Sequence, residues 1–180
     1  MMRIVALVLI AGGWGLMAAA EPFLEADDMA FLRELTAAVL DASRVAPGTK
    51  VGGIGPNVTG GTVIRPGGRD CYPAFWIRDY AMSIDSGLVS VEEQRHMLLL
   101  TARHQQDERW ALPSGSVVPP GAIADHISFG DKPIYYPGTL EDYAGQGGER
   151  WGILPALDDH YFFIHMAACY VEATGDTAIL

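Results

Sequence analysis

The stretch from Ala156 to Ala173, wound as a helix, places Leu157, Tyr161, Phe162, Ile164, Met166, Ala168, Cys169 and Val171 on nearly every side. A helix apolar all round needs burial on most of its faces, so whatever this chain folds into must supply elements that surround it. Pro155 or Ala156 opens the helix, and Thr174-Gly175 is a C-terminal stop.

Three further helices are predicted upstream. Met29, Leu32, Leu35, Val39 and Leu40 recur at helical spacing from Ala26 to Arg44, with Asp27 or Asp28 as cap and Pro47-Gly48 as terminator. A second helix runs from near Trp76 to Ser86 and stops at Gly87. Ser90-Val91-Glu92-Glu93 is a capping box, in which hydroxyl and carboxylate each satisfy an orphan amide, and it opens a third helix to about Gln106. Only Gly87 to Val89 joins the second helix to the third, which predicts an antiparallel α-hairpin. Residues 49–70 are rich in glycine and read as loop, with room for a small β-hairpin in Val58-Thr59 and Thr62 to Ile64. Asn57-Val58-Thr59 matches a glycosylation acceptor, which implies an exposed loop. From Glu108 to Pro155 there is no helical pattern; Val117 to Ile127 leaves room for a short strand, and Tyr135, Tyr136, Tyr143 and Trp151 supply polar-tipped rings. The sequence holds no internal repeat and no low-complexity tract.

Met1-Met2-Arg3, the apolar run Ile4 to Met17 and Ala18-Ala19-Ala20 have the form of a secretory signal, residues 1–20, cleaved near Glu21. This predicts a secreted or periplasmic protein whose residues 21–180 form one domain. The run is short of the roughly 20 residues that span a bilayer, and no later stretch is longer. With 12 basic against 22 acidic residues and a net charge of −10, the surface repels phosphate backbones, which excludes nucleic acid as a partner. Export permits a disulfide between Cys71 and Cys169, while a buried free thiol fits either residue equally well.

The chemistry gathers in two stretches, Phe75-Trp76-Ile77-Arg78-Asp79-Tyr80 and Trp151 to Phe163. Each sets an aromatic ring beside ionisable groups at the mouth of a predicted helix. Trp76 or Trp151 can stack on the apolar face of a sugar, the Arg78 fork can donate to paired hydroxyls, and Asp79 can accept from the same ring. Arg78 and Asp79 cannot face each other along a helix, so each needs other partners. Asp158 and Asp159 suit either a sugar contact or a simple helix cap. His160 and His165 lie five apart, about 140° around a helix, so a metal shared with the acidic pair is not expected. No cofactor is expected. His165 reads as a core histidine, His126 has no partner legible in sequence, and Glu141-Asp142 reads as a solvated acidic turn.

Trp-x-Arg-Asp at a helix start, followed by Trp-Gly-x-x-Pro-x-x-Asp-Asp and a helix ending in Ala-Thr-Gly-Asp, resembles the N-terminal part of the six-hairpin glycosidases, glucoamylase-like members above all, over residues 70–180. The resemblance implies an all-α fold, a partial (α/α)6 toroid with long irregular loops, and a glycoside hydrolase acting on an oligo- or polysaccharide. It places Arg78 and Asp79 on the hydroxyls of the sugar before the scissile bond, and Trp151 and Gly152 against the substrate. Trp76, Arg78 and Asp79 would then meet Trp151, Asp158 and Asp159 at one rim of packed helices. The general acid and base would come from beyond Leu180, so no catalytic pair is assigned within the chain and residues 21–180 read as an incomplete catalytic domain, inactive and poorly soluble alone. Two other classes fit the same residues: a polysaccharide lyase or phosphorylase on such a toroid, the lyase drawing on Tyr135 and His126, and a non-catalytic glycan-binding protein.

Overall fold

The computed structural model of the chain describes residues 24–51, 54–68, 72–111, 117–135 and 158–180. The leader segment, Cys71, Tyr136, Glu141, Asp142, Tyr143, Trp151 and Gly152 lie outside them. Four helices are present among the described residues: α1 (Ala26–Ser43), α2 (Ile77–Ile84), α3 (Val91–Arg103) and α4 (Asp159–Thr174). They alternate with nine short strands: β1 (Arg44–Val45), β2 (Lys50–Val51), β3 (Gly55–Pro56), β4 (Val63–Ile64), β5 (Ala74–Trp76), β6 (Trp110–Ala111), β7 (Val117–Val118), β8 (His126–Ser128) and β9 (Pro133–Ile134).

These strands overturn the expectation of an all-α toroid. They make three two-stranded ladders, β1-β4, β2-β3 and β6-β7, and one antiparallel three-stranded sheet in the order β5-β8-β9. The chain is a small mixed α/β fold. In the larger sheet Phe75 pairs with Ile127, and Trp76 with His126. Side chains alternate across a strand, so Phe75 is buried at 1 % exposure and Trp76 stands at the half-open edge. The strand runs directly into α2, whose N-cap is Trp76 itself. Phe75, Ile127 and Phe129 of the sheet region pack in one core with Ile77 and Tyr80 of α2, Met97 and Leu100 of α3, and Met166 of α4.

The starts of α1 and α3 and the end of α4 follow the sequence signals, whereas α4 begins at Asp159 and not at Pro155 or Ala156, and α2 and α3 stop two to three residues early. At α3 the Ser90 hydroxyl accepts from the Glu93 amide at 3.2 Å, and the Glu93 carboxylate accepts from the Ser90 amide at 2.9 Å. Arg44 Nε, just past α1, donates to Glu93 Oε1 at 2.5 Å, and its Nη2 donates to the Leu88 carbonyl at 3.0 Å, so one guanidinium ties the end of α1 to the start of α3. Burial alone would lift the Glu93 carboxyl; the hydrogen bonds from Arg44 and Ser90 overcome it and hold the group below its ordinary range. Gly175 ends α4 in the left-handed region at φ 72, with its amide donating to the Val171 carbonyl.

Helix packing departs from the sequence reading in two ways. The principal helix contacts are those of α4 with α2 and with α3, so α4 stands where the α-hairpin expectation put α2 and α3 against each other. Buried positions on α4 are limited to Asp159, Met166 and Tyr170, whereas Tyr161 and Ile164 are 73 % and 65 % exposed, so this helix is not enclosed on most sides. On α1 as well, Met29, Leu32, Leu35 and Val39 face outward, and only Leu40 and Ser43 are buried. Two contacts fix how α2 and α4 lie: Arg78 meets Asp158 and Asp85 meets His165, each pair 80 residues apart. A constant offset means parallel helices whose first turns share one end.

The turn after β3 corrects the glycosylation reading. Asn57 is 1 % exposed, and its amide nitrogen donates to the carbonyls of Val45 and Gly61. That nitrogen is not available to a glycan. At Gly61 an added Cβ would lie 2.4 Å from the His96 ring, which is itself held to the Thr59 hydroxyl at 3.2 Å. Gly61→Ala is expected to lower unfolding stability by about 1–3 kcal/mol, the range for overpacking; an unchanged midpoint in denaturant titration would show that the ring moves aside freely.

Candidate functional site

The shared end of α2 and α4 brings together residues that the sequence separates widely. Arg78 Nη2 donates to Asp158 Oδ1 at 2.7 Å, and both side chains are about half exposed. Asp158 is the N-cap residue of α4, yet its side chain makes no capping hydrogen bond; the guanidinium takes the carboxylate instead. Beside this pair, Asp159 begins the helix at 3 % exposure, and its Oδ1 has no hydrogen-bond partner among the described residues. Burial pushes its carboxyl up to about 7, the charges of Asp125 and Asp158 add to the rise, and Arg78 draws it back in part. A neutral acid and its ionised form therefore coexist near pH 7.

Asp125 was given no role by sequence, and His126 only a weak one beside Tyr135 in the lyase reading; the structure brings both to the helix mouth. The Ile77 amide, in the first turn of α2, donates to the Asp125 carbonyl at 3.1 Å, which seats Asp125 at the helix mouth. The Asp125 carboxylate accepts from His126 Nδ1 at 2.7 Å. That bond fixes the proton on Nδ1 in the neutral ring. The imidazole stacks on Trp76, with centroids 4.2 Å apart and planes 19° from parallel, and Tyr72 meets the indole edge-on at 5.2 Å. His126 therefore has two partners, one of them its chain neighbour; the signal in sequence was the Asp-His adjacency itself.

Of the seven residues proposed from sequence, the structure groups Trp76, Arg78, Asp158 and Asp159 around one helix mouth. Asp79 is not with them: successive helical residues point about 100° apart, and Asp79 lines a separate cavity of about 150 Å³ with Leu40, Arg65, Tyr80 and Ser83. Trp151 and Gly152 lie outside the described residues. The Tyr135–His126 pair invoked for a lyase does not form, because the buried Tyr135 hydroxyl donates to the His104 carbonyl while His126 turns to Asp125. His165 is not a core residue; it is partly exposed and bonded to Asp85. Cys169 carries a free thiol.

A larger cleft of about 510 Å³ opens elsewhere, between Gly60–Thr62 and α3. Two of its charged groups are engaged, Glu93 with Arg44 and Arg103 with Asp131 at 2.6 Å, while Glu92 and Arg95 also line it. Among the described residues no helix is long and apolar enough to cross a membrane. No family model, curated protein or solved structure matches this chain.

Proposed function

We propose that this chain is part of a secreted or periplasmic carbohydrate-active protein, and that the mouth formed by α2 and α4 holds a sugar ring for glycoside hydrolysis. One observation carries the reading: an indole, an Arg–Asp pair and a buried acid titrating near neutrality converge from segments about 80 residues apart. The partly exposed Trp76 offers an apolar surface to a sugar face, the planar guanidinium of Arg78 offers directed donors to hydroxyls, and Asp158 offers acceptors. Glycoside cleavage needs one carboxyl that can give a proton and one that stays ionised. Asp159, raised by burial and by neighbouring charge, fits the first requirement, a role that sequence reasoning gave to no residue of the chain. Asp125, bonded to His126, and Asp158, bonded to Arg78, are the other carboxyl groups beside it. None of this requires a toroid.

The test is binding and turnover of a panel of neutral mono- and oligosaccharides, followed by titration calorimetry on Arg78→Lys. Losing the planar fork should weaken sugar binding by about 1.5–3 kcal/mol, the scale for hydrogen bonds to charged groups. The melting temperature should barely move, because a half-exposed ion pair contributes at most about 1 kcal/mol. Unaltered sugar binding in Arg78→Lys, or no binding by any member of the panel, would return the pair to a structural role. Binding with no bond cleavage would leave the glycan-binding reading in place of the hydrolase.

A further inference from the structure

At the opposite end of the α2/α4 pair a second group of side chains meets, none of them used by the proposed sugar site. Asp85 is the C-cap residue of α2, and His165 and Cys169 stand one turn apart on α4, a spacing that sets both on one helix face. His165 Nε2 lies 2.9 Å from Asp85 Oδ1 and 3.6 Å from Cys169 Sγ. One ligand atom from each residue falls within 4.8 Å of the other two. In tetrahedral zinc sites, with Zn–N about 2.0 Å and Zn–S about 2.3 Å, the N···S edge is about 3.5 Å and the N···O edge about 3.3 Å. The histidine–cysteine separation already has the first of these values. The histidine–aspartate separation is shorter because a proton, not an ion, now joins them.

We propose that Asp85, His165 and Cys169 form a site for one thiophilic divalent cation, zinc foremost, with water in the fourth position. The donor set is one imidazole, one thiolate and one carboxylate, which suits zinc or cobalt and not magnesium or calcium, whose sites are built from oxygen alone. The same three residues invite a nucleophilic triad reading, but the Cys169 thiol is pushed up by burial and by the charges of Asp85 and Glu172, which disfavours the thiolate a nucleophile needs. A cation reverses that bias: it displaces the thiol proton, which leaves to solvent, and it neutralises the carboxylates. Asp85 and His165 are 64 % and 40 % exposed at their side chains, so the ion has a path in. Bound there, it would clamp the end of α2 onto the middle of α4.

The experiment titrates the metal-free chain with Co²⁺ and follows absorbance, then displaces cobalt with Zn²⁺. One equivalent should produce a thiolate-to-cobalt band in the near ultraviolet together with the visible bands of a tetrahedral ion. Cys169→Ser should abolish the near-ultraviolet band and weaken zinc binding at least tenfold, His165→Gln should weaken it similarly, and Cys71→Ser should leave both intact. Zinc should raise the melting temperature of the unaltered chain and not that of Cys169→Ser. Absence of the band, its survival in Cys169→Ser, or its loss in Cys71→Ser alone would each overturn the proposal and leave an ordinary surface pair between Asp85 and His165.

Discussion

Asn57→Ala is expected to lower the unfolding free energy by about 3–4 kcal/mol in denaturant titration. The residue is 1 % exposed and every polar valence of its side chain is used. Its Nδ2 donates to the Val45 carbonyl at 2.7 Å and to the Gly61 carbonyl at 2.9 Å, and its Oδ1 accepts from the Thr59 amide at 3.0 Å and the Thr59 hydroxyl at 2.7 Å. Truncation strands a buried amide and a buried carbonyl, each worth about 1–3 kcal/mol when left unpaired. The strand pairing of β1 with β4 loses its brace at the same moment, since Val45 belongs to that ladder and Gly61 lies just before β4. A loss under 1 kcal/mol, the scale of ordinary surface changes, would mean that water enters and replaces the amide.

The second large effect has the opposite sign. Asp159→Asn should stabilise the protein by about 2–4 kcal/mol at pH 8 and by almost nothing at pH 4. The unfolded carboxyl titrates near 3.9, and the folded one near 7. Below the first value both states are protonated, so burial of the acid carries no charge penalty. Between the two, the native state keeps a proton that the unfolded chain has released, and stability falls as pH rises; above about 7 the loss is complete. The full shift corresponds to about 4 kcal/mol, and solvent at the helix mouth reduces it toward the lower figure. Melting curves of both proteins across this range decide the matter: equal gains at pH 4 and pH 8 would show that the carboxyl is not held neutral. An acid that destabilises its own fold at neutral pH is what general acid chemistry asks for.

Local signals in the sequence were faithful because local physics decided them. The Ser90–Glu93 box, the Gly175 stop and the spacing from Ala26 each depend on atoms within one or two turns, and α3, α4 and α1 begin or end accordingly. The three-stranded sheet was not legible, since β5 and β8 are three residues each and their register, Trp76 against His126, is set by partners 50 positions apart. The helix start near Trp76 was legible, since Trp76 is the N-cap of α2; that the same residue also closes a strand was not. Asp159 shows the same limit at the site. An acidic pair at a helix start has one sequence appearance whether its members cap the helix, as a dipole argument allows, or sink beneath a guanidinium as Asp159 does. Apolarity misled at α4 in another way: Tyr161 and Ile164 are hydrophobic and outward, and composition records only the first property.

The constant offset between α2 and α4 has a kinetic side. Parallel neighbours cannot be joined by a tight turn, so the chain travels through α3, the sheet and the loops before α4 can lie beside α2. Arg78 finds Asp158, and Asp85 finds His165, only after a loop of 80 residues closes, an entropic step that grows with the logarithm of its length and belongs late in folding. Both ends of the helix pair thus mature together. A chain emerging from the ribosome carries α1, α2 and α3 for some time with neither site assembled, and the arrival of the last 23 described residues completes the two at once.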